Sequence, residues 1–208
     1  MIDFASCKQL TQNTASLKEV SFDSDAGESM TESLIQVINF DRVKNEYTKN
    51  LDIRLAEGCA PKSCDALYLG KNGEIVFIEF KNGELNKKQR ENIRIKILDS
   101  LLIFSDVTGK IPNKILTFTR KNVHFILVYN EGKNATSSDS ESLIQNAESR
   151  EDFAKMVTAR GGEILVRFGF ERYKRMYFNE VYTYTKKEFQ NLFVDMHPEA
   201  PTTEAATN

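Results

Sequence analysis

The chain has 208 residues, 40% of them hydrophobic, and a formal net charge of −2 at pH 7. A chain of this length and composition usually folds as one domain with its own core. The near-neutral charge excludes a surface that is basic throughout, although a local basic patch is compatible with it. No apolar run reaches the roughly 20 residues that a membrane helix needs, and residues 1–12 lack a signal-peptide pattern. We therefore expect a cytoplasmic protein that does not enter a membrane.

The cysteines and histidines give little support for a zinc site or a catalytic triad. Cys7, Cys59 and Cys64 show no Cys-x-x-Cys spacing, and an odd number of cysteines without a secretion signal indicates reduced thiols. His124 and His197 are the two histidines, and neither has the spacing of a zinc ligand. His124 falls within an apolar run, where a histidine is more often a packed residue than a catalyst.

The chain begins with a polar extension, which an amphipathic segment follows. Residues 1–26 are mixed and polar, with a short helix expected near Ser16–Val20. Helical spacing of apolar residues then predicts a helix over Glu28–Phe40. Its apolar stripe consists of Met30, Leu34, Val37 and Ile38, widened by Ile35. The charged, asparagine-rich segment Asp41–Pro61 is expected to cap the sheet or to form a loop that faces a substrate.

Two β-rich runs separated by a short polar turn predict a β-hairpin. The runs are Asp65–Leu69 and Ile75–Lys81, and Lys71-Asn72-Gly73 lies between them. A three-residue loop with Gly73 in the left-handed conformation is a common closure. The second run is apolar on both faces until its last residues, which predicts a strand that is covered on both sides.

The predicted register places acidic side chains opposite each other on the hairpin. Counting back from the loop puts Asp65 opposite Glu79, with Lys81 on the same face as Glu79. Directly opposed residues have Cβ atoms about 5 Å apart, and two carboxylates that close repel each other unless a proton or cation lies between them. A divalent cation between the two would remove the repulsion. A two-residue loop would instead move Asp65 to the other face.

At these residues the chain resembles a known family. Asp65, thirteen intervening residues and then Glu79-Phe80-Lys81 are similar to the signature of the PD-(D/E)XK nucleases, with Cys64 where that family often has proline. The resemblance covers roughly Gly27 to Tyr129. It implies an α/β (α+β) fold with a restriction-endonuclease-like core, in which helices flank a mixed central sheet. It also implies that Asp65 and Glu79 bind Mg²⁺ or Mn²⁺ and that Lys81 orients or activates the attacking water.

The resemblance implies a further acidic residue on the preceding helix. Glu32 and Glu28 are the candidates for assisting the metal site. We favour Glu32, because an acidic residue in a first helical turn often serves only the helix dipole, and this applies more strongly to Glu28. The alternative to a nuclease-like site is a structural ion pair, since Glu-x-Lys is a short motif that occurs by chance.

The segment Asn86–Val107 has the pattern of a long helix, and its first turns are basic. The candidate nucleic-acid contacts on this helix are Lys87, Lys88, Gln89, Arg90 and Arg94. Lys96 is also basic, and a charge run of this kind is either a solvated helix face or a set of phosphate contacts. The family resemblance implies that a glutamine or lysine on this helix assists the site, which makes Gln89 and Lys88 the candidates.

The C-terminal half alternates predicted strands and helices. A buried strand is expected at Asn122–Tyr129, a helix at Ser149–Arg160 and a strand at Ile164–Phe170. The aromatic and basic segment Arg172–Tyr184 is predicted to be an amphipathic edge strand, although such a segment can also stack nucleobases. Thr185, with a glutamate three residues later, predicts a capped final helix.

We expect residues 1–26 to form an extension, residues 27–196 a single nuclease-like domain and residues 197–208 a disordered tail. The predicted function is a metal-dependent phosphodiester hydrolase that cleaves DNA or RNA. Nucleic acid is therefore the expected partner, and a protein partner or a second copy of the chain remains open. The alternative is an inactive nuclease-like fold that binds nucleic acid or protein, or serves as an accessory subunit.

Overall fold

A mixed six-stranded sheet forms the centre of the protein in the computed structural model, which describes residues 4–51, 59–109, 115–134 and 166–197. The strand order is β1-β4-β5-β6-β7-β8. These strands are Thr14–Ser16 (β1), Gln36–Asn39 (β4), Ala66–Leu69 (β5), Ile75–Lys81 (β6), Val123–Tyr129 (β7) and Glu180–Thr185 (β8). A separate small hairpin pairs Phe22–Asp23 (β2) with Glu28–Ser29 (β3). The expected mixed sheet flanked by helices is confirmed at this level of detail.

Helices cover both faces of the sheet. They are Lys8–Thr11 (α1), Leu17–Val20 (α2), Phe40–Asn50 (α3), Lys87–Thr108 (α4), Ile115–Asn122 (α5) and Lys186–Phe189 (α6), which a π-helical turn, Gln190–Val194, extends. One face of the sheet packs against α1, α3, α4 and α5. The other face packs against α2 and α6. Every residue of β6 from Ile75 to Phe80 is consequently buried, as the two-sided apolar pattern predicts.

The predicted hairpin register is present in β5 and β6. Leu69 pairs with Ile75 and Ala66 pairs with Ile78. Gly73 closes the turn with φ at +79°, and its N–H donates to the carbonyl oxygen of Gly70 at 3.0 Å. The three-residue loop is therefore confirmed. One further step of the same antiparallel register brings position 65 opposite position 79.

A long helix connects β6 to the parallel strand β7. Asn86 begins α4 by accepting a hydrogen bond from the N–H of Gln89, and Gly109 ends it in the left-handed conformation. Ile93, Ile97 and Phe104 lie in the core against the sheet, so the helix predicted over Asn86–Val107 is confirmed. At 22 residues α4 is long, yet none of the helices in the described ranges combines the length and apolar character needed to cross a membrane.

The helix predicted over Glu28–Phe40 is wrong. Burial alternates with period two from Glu32 to Val37, so that Ile35 is buried and Leu34 is 56% exposed, and Gln36–Asn39 forms strand β4. The helix begins instead at Phe40, after Asn39 caps it by accepting from the N–H of Arg42 at 3.0 Å. The segment Asp41–Pro61, expected to be a loop or cap, therefore starts as helix α3.

The C-terminal predictions have mixed outcomes. In the described part of the strand predicted over Ile164–Phe170, Phe168 and Gly169 have positive φ angles, and a 3₁₀ turn begins at Phe170, so that strand prediction is wrong. The edge strand predicted over Arg172–Tyr184 is confirmed only from Glu180 onwards, where it forms β8, because Phe170–Tyr173 is a 3₁₀ turn. Thr185 caps α6 in a capping box, as predicted. The helix predicted over Ser149–Arg160 and residues 198–208 of the tail lie outside the described residues.

Gly73→Ala is expected to lower the free energy of unfolding by about 1–2 kcal/mol, because the added Cβ strains left-handed backbone. A Cβ at this position would meet no atom within 4 Å, so the cost would come from the backbone and not from a clash. Gly73→Asn should cost less, since asparagine tolerates this conformation better. Urea unfolding of the three proteins measures the difference, and equal losses for Ala and Asn would contradict this account.

Candidate active site

Two carboxylates converge on one ammonium group at the end of the central hairpin. Lys96, on α4, donates from Nζ to Asp65 Oδ1 at 3.1 Å and to Glu79 Oε1 at 2.6 Å. Asp65 directly precedes β5 and Glu79 lies within β6. The register of the hairpin and the packing of α4 on the same face of the sheet therefore bring the three charged groups together.

Backbone contacts fix the position of Asp65. The N–H of Phe80 donates to Asp65 Oδ2 at 2.7 Å, so each oxygen of this carboxylate has a protein partner. Next to it, the Cys64 N–H donates to Ser100 Oγ on α4 at 2.8 Å. These bonds join the start of β5 to its neighbouring strand and to the helix, and they limit the positions that the Asp65 side chain can take.

Glu79 is buried with an incomplete set of partners. The residue is 2% exposed, and its second oxygen, Oε2, has no hydrogen-bond partner among the described residues. Burial, followed by the charge of Asp65, raises the pKa of Glu79 to about 8, although Lys96 acts in the opposite direction. The open oxygen and the excess negative charge favour either a proton or an additional cation at Glu79.

The other two members of the cluster have pKa shifts with the same origin. Burial raises the pKa of Asp65, against the lowering effects of Lys96 and the Phe80 N–H. Burial disfavours the Lys96 ammonium, but the charges of Glu79 and Asp65 outweigh this effect and raise its pKa. The cluster therefore contains one firmly charged ammonium between two carboxylates whose pKa values are raised.

Asp65 opens onto a polar cleft with a volume of about 480 Å³. Asp41 and Lys81 also line this cleft, and the β2–β3 hairpin forms another wall, which includes Phe22 and Asp23. A larger cavity of about 900 Å³ lies at the opposite end of β6, around the turn of the β5–β6 hairpin, and none of the candidate catalytic residues lines it. The polar cleft is therefore the one associated with the carboxylate pair.

Lys81 lines the cleft, and its side chain has no partner among the described residues. Its ammonium forms no ion pair or hydrogen bond with any residue in the described ranges. The chain just beyond it is held by buried asparagines, since Asn130 Nδ2 donates to Asn82 Oδ1 at 2.7 Å and Asn134 Nδ2 donates to the Gly83 carbonyl at 3.1 Å. The backbone at Lys81 is thus fixed while its side chain stays available.

Asp41 is an acidic residue of this region that our sequence reasoning missed. It lies in the first turn of α3, accepts from Ser63 Oγ at 2.5 Å and contributes to the raised pKa of Asp65 through its charge. The helix predicted over Glu28–Phe40 instead leaves Asp41 in the segment that follows it. The sequence does contain a signal for helix α3. Asn39 is a favoured N-cap residue, and Phe40 and Val43, which follow it, have the spacing of a buried helical face, so Asp41 falls in the first turn.

The two acids chosen from the sequence lie elsewhere. Glu32 is on extended backbone, and its 76% exposed side chain pairs with Lys18 Nζ at 2.5 Å. Glu28 accepts from Asn82 Nδ2 and Lys186 Nζ, both at 3.2 Å. Neither glutamate lines the cleft. Because the predicted helix does not form, the geometry brings neither Glu32 nor Glu28 to the carboxylate pair.

The basic residues of α4 differ in their surroundings. Lys87 and Lys88 are exposed, whereas Gln89 and Arg90 are partly buried. Arg94 is bound to Glu91 Oε1 at 2.7 Å on its own helix. Of the α4 side chains, Lys96 contacts the carboxylate pair, while Gln89 and Lys88, the candidates from the sequence, make no such contact.

The donors of the site match a small divalent cation better than zinc. Among the described residues, no three His, Cys, Asp or Glu side chains form a metal-binding group, and the cysteines Cys7, Cys59 and Cys64 are free. Mg²⁺, however, is commonly held by one or two carboxylates, with water and substrate phosphate completing its shell. Asp65 and Glu79, whose Oε2 has no partner among the described residues, are the residues that could hold such a cation.

The chain matches no protein-family model, no curated protein and no solved structure in the three comparisons made. The geometry of the site is therefore the basis on which a function can be inferred.

Glu79→Gln is expected to remove part of the pH dependence of stability in metal-free buffer. With a folded pKa of about 8 against an ordinary value of 4.5, folded Glu79 keeps a proton that the unfolded chain releases, so wild-type stability falls as the pH rises from about 5 to 8. The glutamine variant has no proton to release, so its stability relative to that of the wild type should increase as the pH rises from about 5 to 8. Denaturant unfolding across this range measures the difference, and parallel curves would contradict it.

Proposed function

We propose that this protein is a metal-dependent phosphodiester hydrolase that cleaves nucleic acid, with Mg²⁺ or Mn²⁺ held by Asp65 and Glu79. The observation that carries the proposal is the convergence of the buried Glu79 and the partly buried Asp65 on a single cationic position, while Glu79 Oε2 has no hydrogen-bond partner among the described residues. Asp41 takes the place of Glu32 as the assisting acid in this proposal, because Asp41 lines the same cleft as Asp65.

The chain's own residues have distinct functions in this mechanism. When bound, the divalent cation polarises a phosphoryl oxygen and lowers the pKa of a bound water. Asp65 is held by the Phe80 N–H, so its position is set before substrate arrives. Glu79 offers its free oxygen from a buried strand, where electrostatic interactions are stronger than in water.

Lys81 positions the attacking water or offsets negative charge that develops in the transition state. Its partner-free ammonium at the cleft wall supports this function, because no protein carboxylate in the described ranges has to be displaced first. The buried Asn82 and Asn134 restrain the backbone that carries it. A restrained backbone keeps the distance between the ammonium and the carboxylate pair within narrow limits.

The surroundings of the cleft support nucleic acid as the substrate. Lys133 lines the cleft, and the exposed Lys87 and Lys88 begin α4, four and five residues after the cleft-lining Gly83, which makes them candidates for phosphate contacts. Phe22, on the hairpin wall, is 56% exposed and offers a ring on which a base can stack. The cleft lining also contains Asp23, Asp25 and Asp41, and the net charge of the chain is −2, so phosphate contacts would be confined to a few basic residues.

A second candidate function is an inactive nuclease-like fold that binds nucleic acid or a protein partner. Lys96 favours it, because its ammonium already contacts both carboxylates. A structural ion cluster of this kind would maintain the fold without any metal. The two functions differ in one property, which is the affinity of the carboxylate pair for a divalent cation.

Asp65→Asn, Glu79→Gln and Lys81→Met are each expected to reduce metal-dependent cleavage of DNA or RNA by about 100-fold or more, because each removes a charge next to the reacting phosphate. Lys71→Met, an exposed change in the hairpin turn, is the matched control and should retain full activity. Calorimetry with Mn²⁺ should show binding to the wild type that is lost in Asp65→Asn. Absence of both cleavage and Mn²⁺ binding in the wild type would favour the inactive module.

Asp41→Asn is expected to reduce cleavage about 10- to 100-fold, which is typical of residues that support a metal ligand. Glu32→Gln removes the same charge from the surface pair with Lys18 and should have no effect. The two variants assayed side by side on the same substrate separate the acid found in the structure from the one chosen from sequence. A larger loss in Glu32→Gln would reverse the assignment.

A further inference from the structure

Lys96 occupies the gap between the two candidate metal ligands. Its Nζ lies 3.1 Å from Asp65 Oδ1 and 2.6 Å from Glu79 Oε1. Neighbouring residues anchor the helix that carries it, since Ile93 and Ile97 lie in the core and Ser100 Oγ accepts from the Cys64 N–H. The ammonium is therefore held at a defined position by the packing of α4.

An ammonium and a divalent cation compete for the same oxygens in this arrangement. Mg²⁺ binds oxygen at about 2.0–2.1 Å, so a cation bridging Asp65 and Glu79 would lie in the space that the Lys96 Nζ occupies. Two positive charges at that separation repel strongly, above all next to a buried strand where the effective dielectric is low. The Lys96 ammonium and a divalent cation therefore cannot both lie between Asp65 and Glu79.

The charge balance shows why the exchange is favourable in principle. Asp65 and Glu79 together carry two negative charges when ionised, whereas Lys96 supplies one positive charge. A divalent cation would neutralise both carboxylates and could also reach Glu79 Oε2, which has no partner among the described residues. The Lys96 side chain is 26% exposed, so its ammonium has a route to solvent that leaves α4 in place.

We propose that Lys96 is an exchangeable internal cation, which holds the Asp65–Glu79 pair together in the metal-free protein and is displaced when a divalent cation binds. The inference rests on the proposed function, because it takes these two carboxylates as the metal ligands. Lys96 is then a positioning residue that keeps the site assembled without metal and weakens its intrinsic metal affinity. Lys81 does not share this function, because it contacts neither the Asp65 nor the Glu79 carboxylate, which both bind Lys96.

Lys96→Met tests the proposal through metal binding without any cleavage assay. Isothermal calorimetry with Mn²⁺ should give a Kd for this variant about tenfold or more below that of the wild type, because the competing charge is gone. Thermal unfolding in chelator should give a lower Tm than the wild type, and saturating Mn²⁺ should raise the Tm of the variant more than that of the wild type. Lys121→Met, an exposed change on α5, should match the wild type in each measurement.

Lys96→Gln provides a second uncharged variant that keeps a hydrogen-bond donor. If neither variant folds in chelator, refolding of both with Mn²⁺ present would support exchange, because the metal would then replace the ammonium. Failure to fold under both conditions would overturn the proposal.

The outcomes separate this inference from the proposed function. Mn²⁺ binding to the wild type with equal or weaker binding to Lys96→Met would overturn the exchange and leave the hydrolase proposal standing. If Lys96→Met binds Mn²⁺ and the wild type does not, Lys96 occupies the metal position permanently in the wild type. That result would favour the inactive module. Absence of binding in the wild type and in both folded Lys96 variants would overturn both proposals.

Discussion

The contact of Lys96 with Asp65 and Glu79 is the interaction on which the rest of the site depends. It joins two strands and the helix that crosses over them, and it lies where the apolar face of the sheet ends at the polar cleft. Two carboxylates at this depth would repel each other without a cation between them. The fold thus maintains a costly arrangement of charges, which a structure formed for stability alone would be expected to replace with apolar side chains.

The geometry of this cluster follows from the hairpin and from one helix. Gly73 sets a three-residue turn, and the period of two along a strand then fixes which face position 65 shares with position 79. Because β6 and β7 are parallel, the chain between them must cross the sheet, and α4 does so on this same face. The crossing brings Lys96 to the Asp65–Glu79 pair. A shift of one residue in either element would separate the charges. The same elements also provide the core, so stability and site geometry are linked.

The region before the hairpin shows where sequence patterns mislead. The apolar residues between Met30 and Ile38 satisfy a helical stripe, but they also satisfy strand alternation, and the tertiary structure selects the strand because β4 pairs with both β1 and β5. The actual helix starts at Phe40 and carries Asp41 at its first turn. The error in the helix boundary is therefore the reason why the sequence pattern favours Glu32, which lies on the surface, over Asp41, which lines the cleft.

The sequence by itself determined the local elements whose signals are short-range, namely the hairpin with its register, the buried strand β6, the helix α4 and the cap at Thr185. It also placed Asp65 opposite Glu79, because strand alternation is a local property of the backbone. Only the tertiary structure decided that Lys96 reaches the two carboxylates and that Asp41 lines their cleft. Those placements depend on how a helix packs across a sheet. Contacts between residues distant in the chain leave no periodic signal in the sequence.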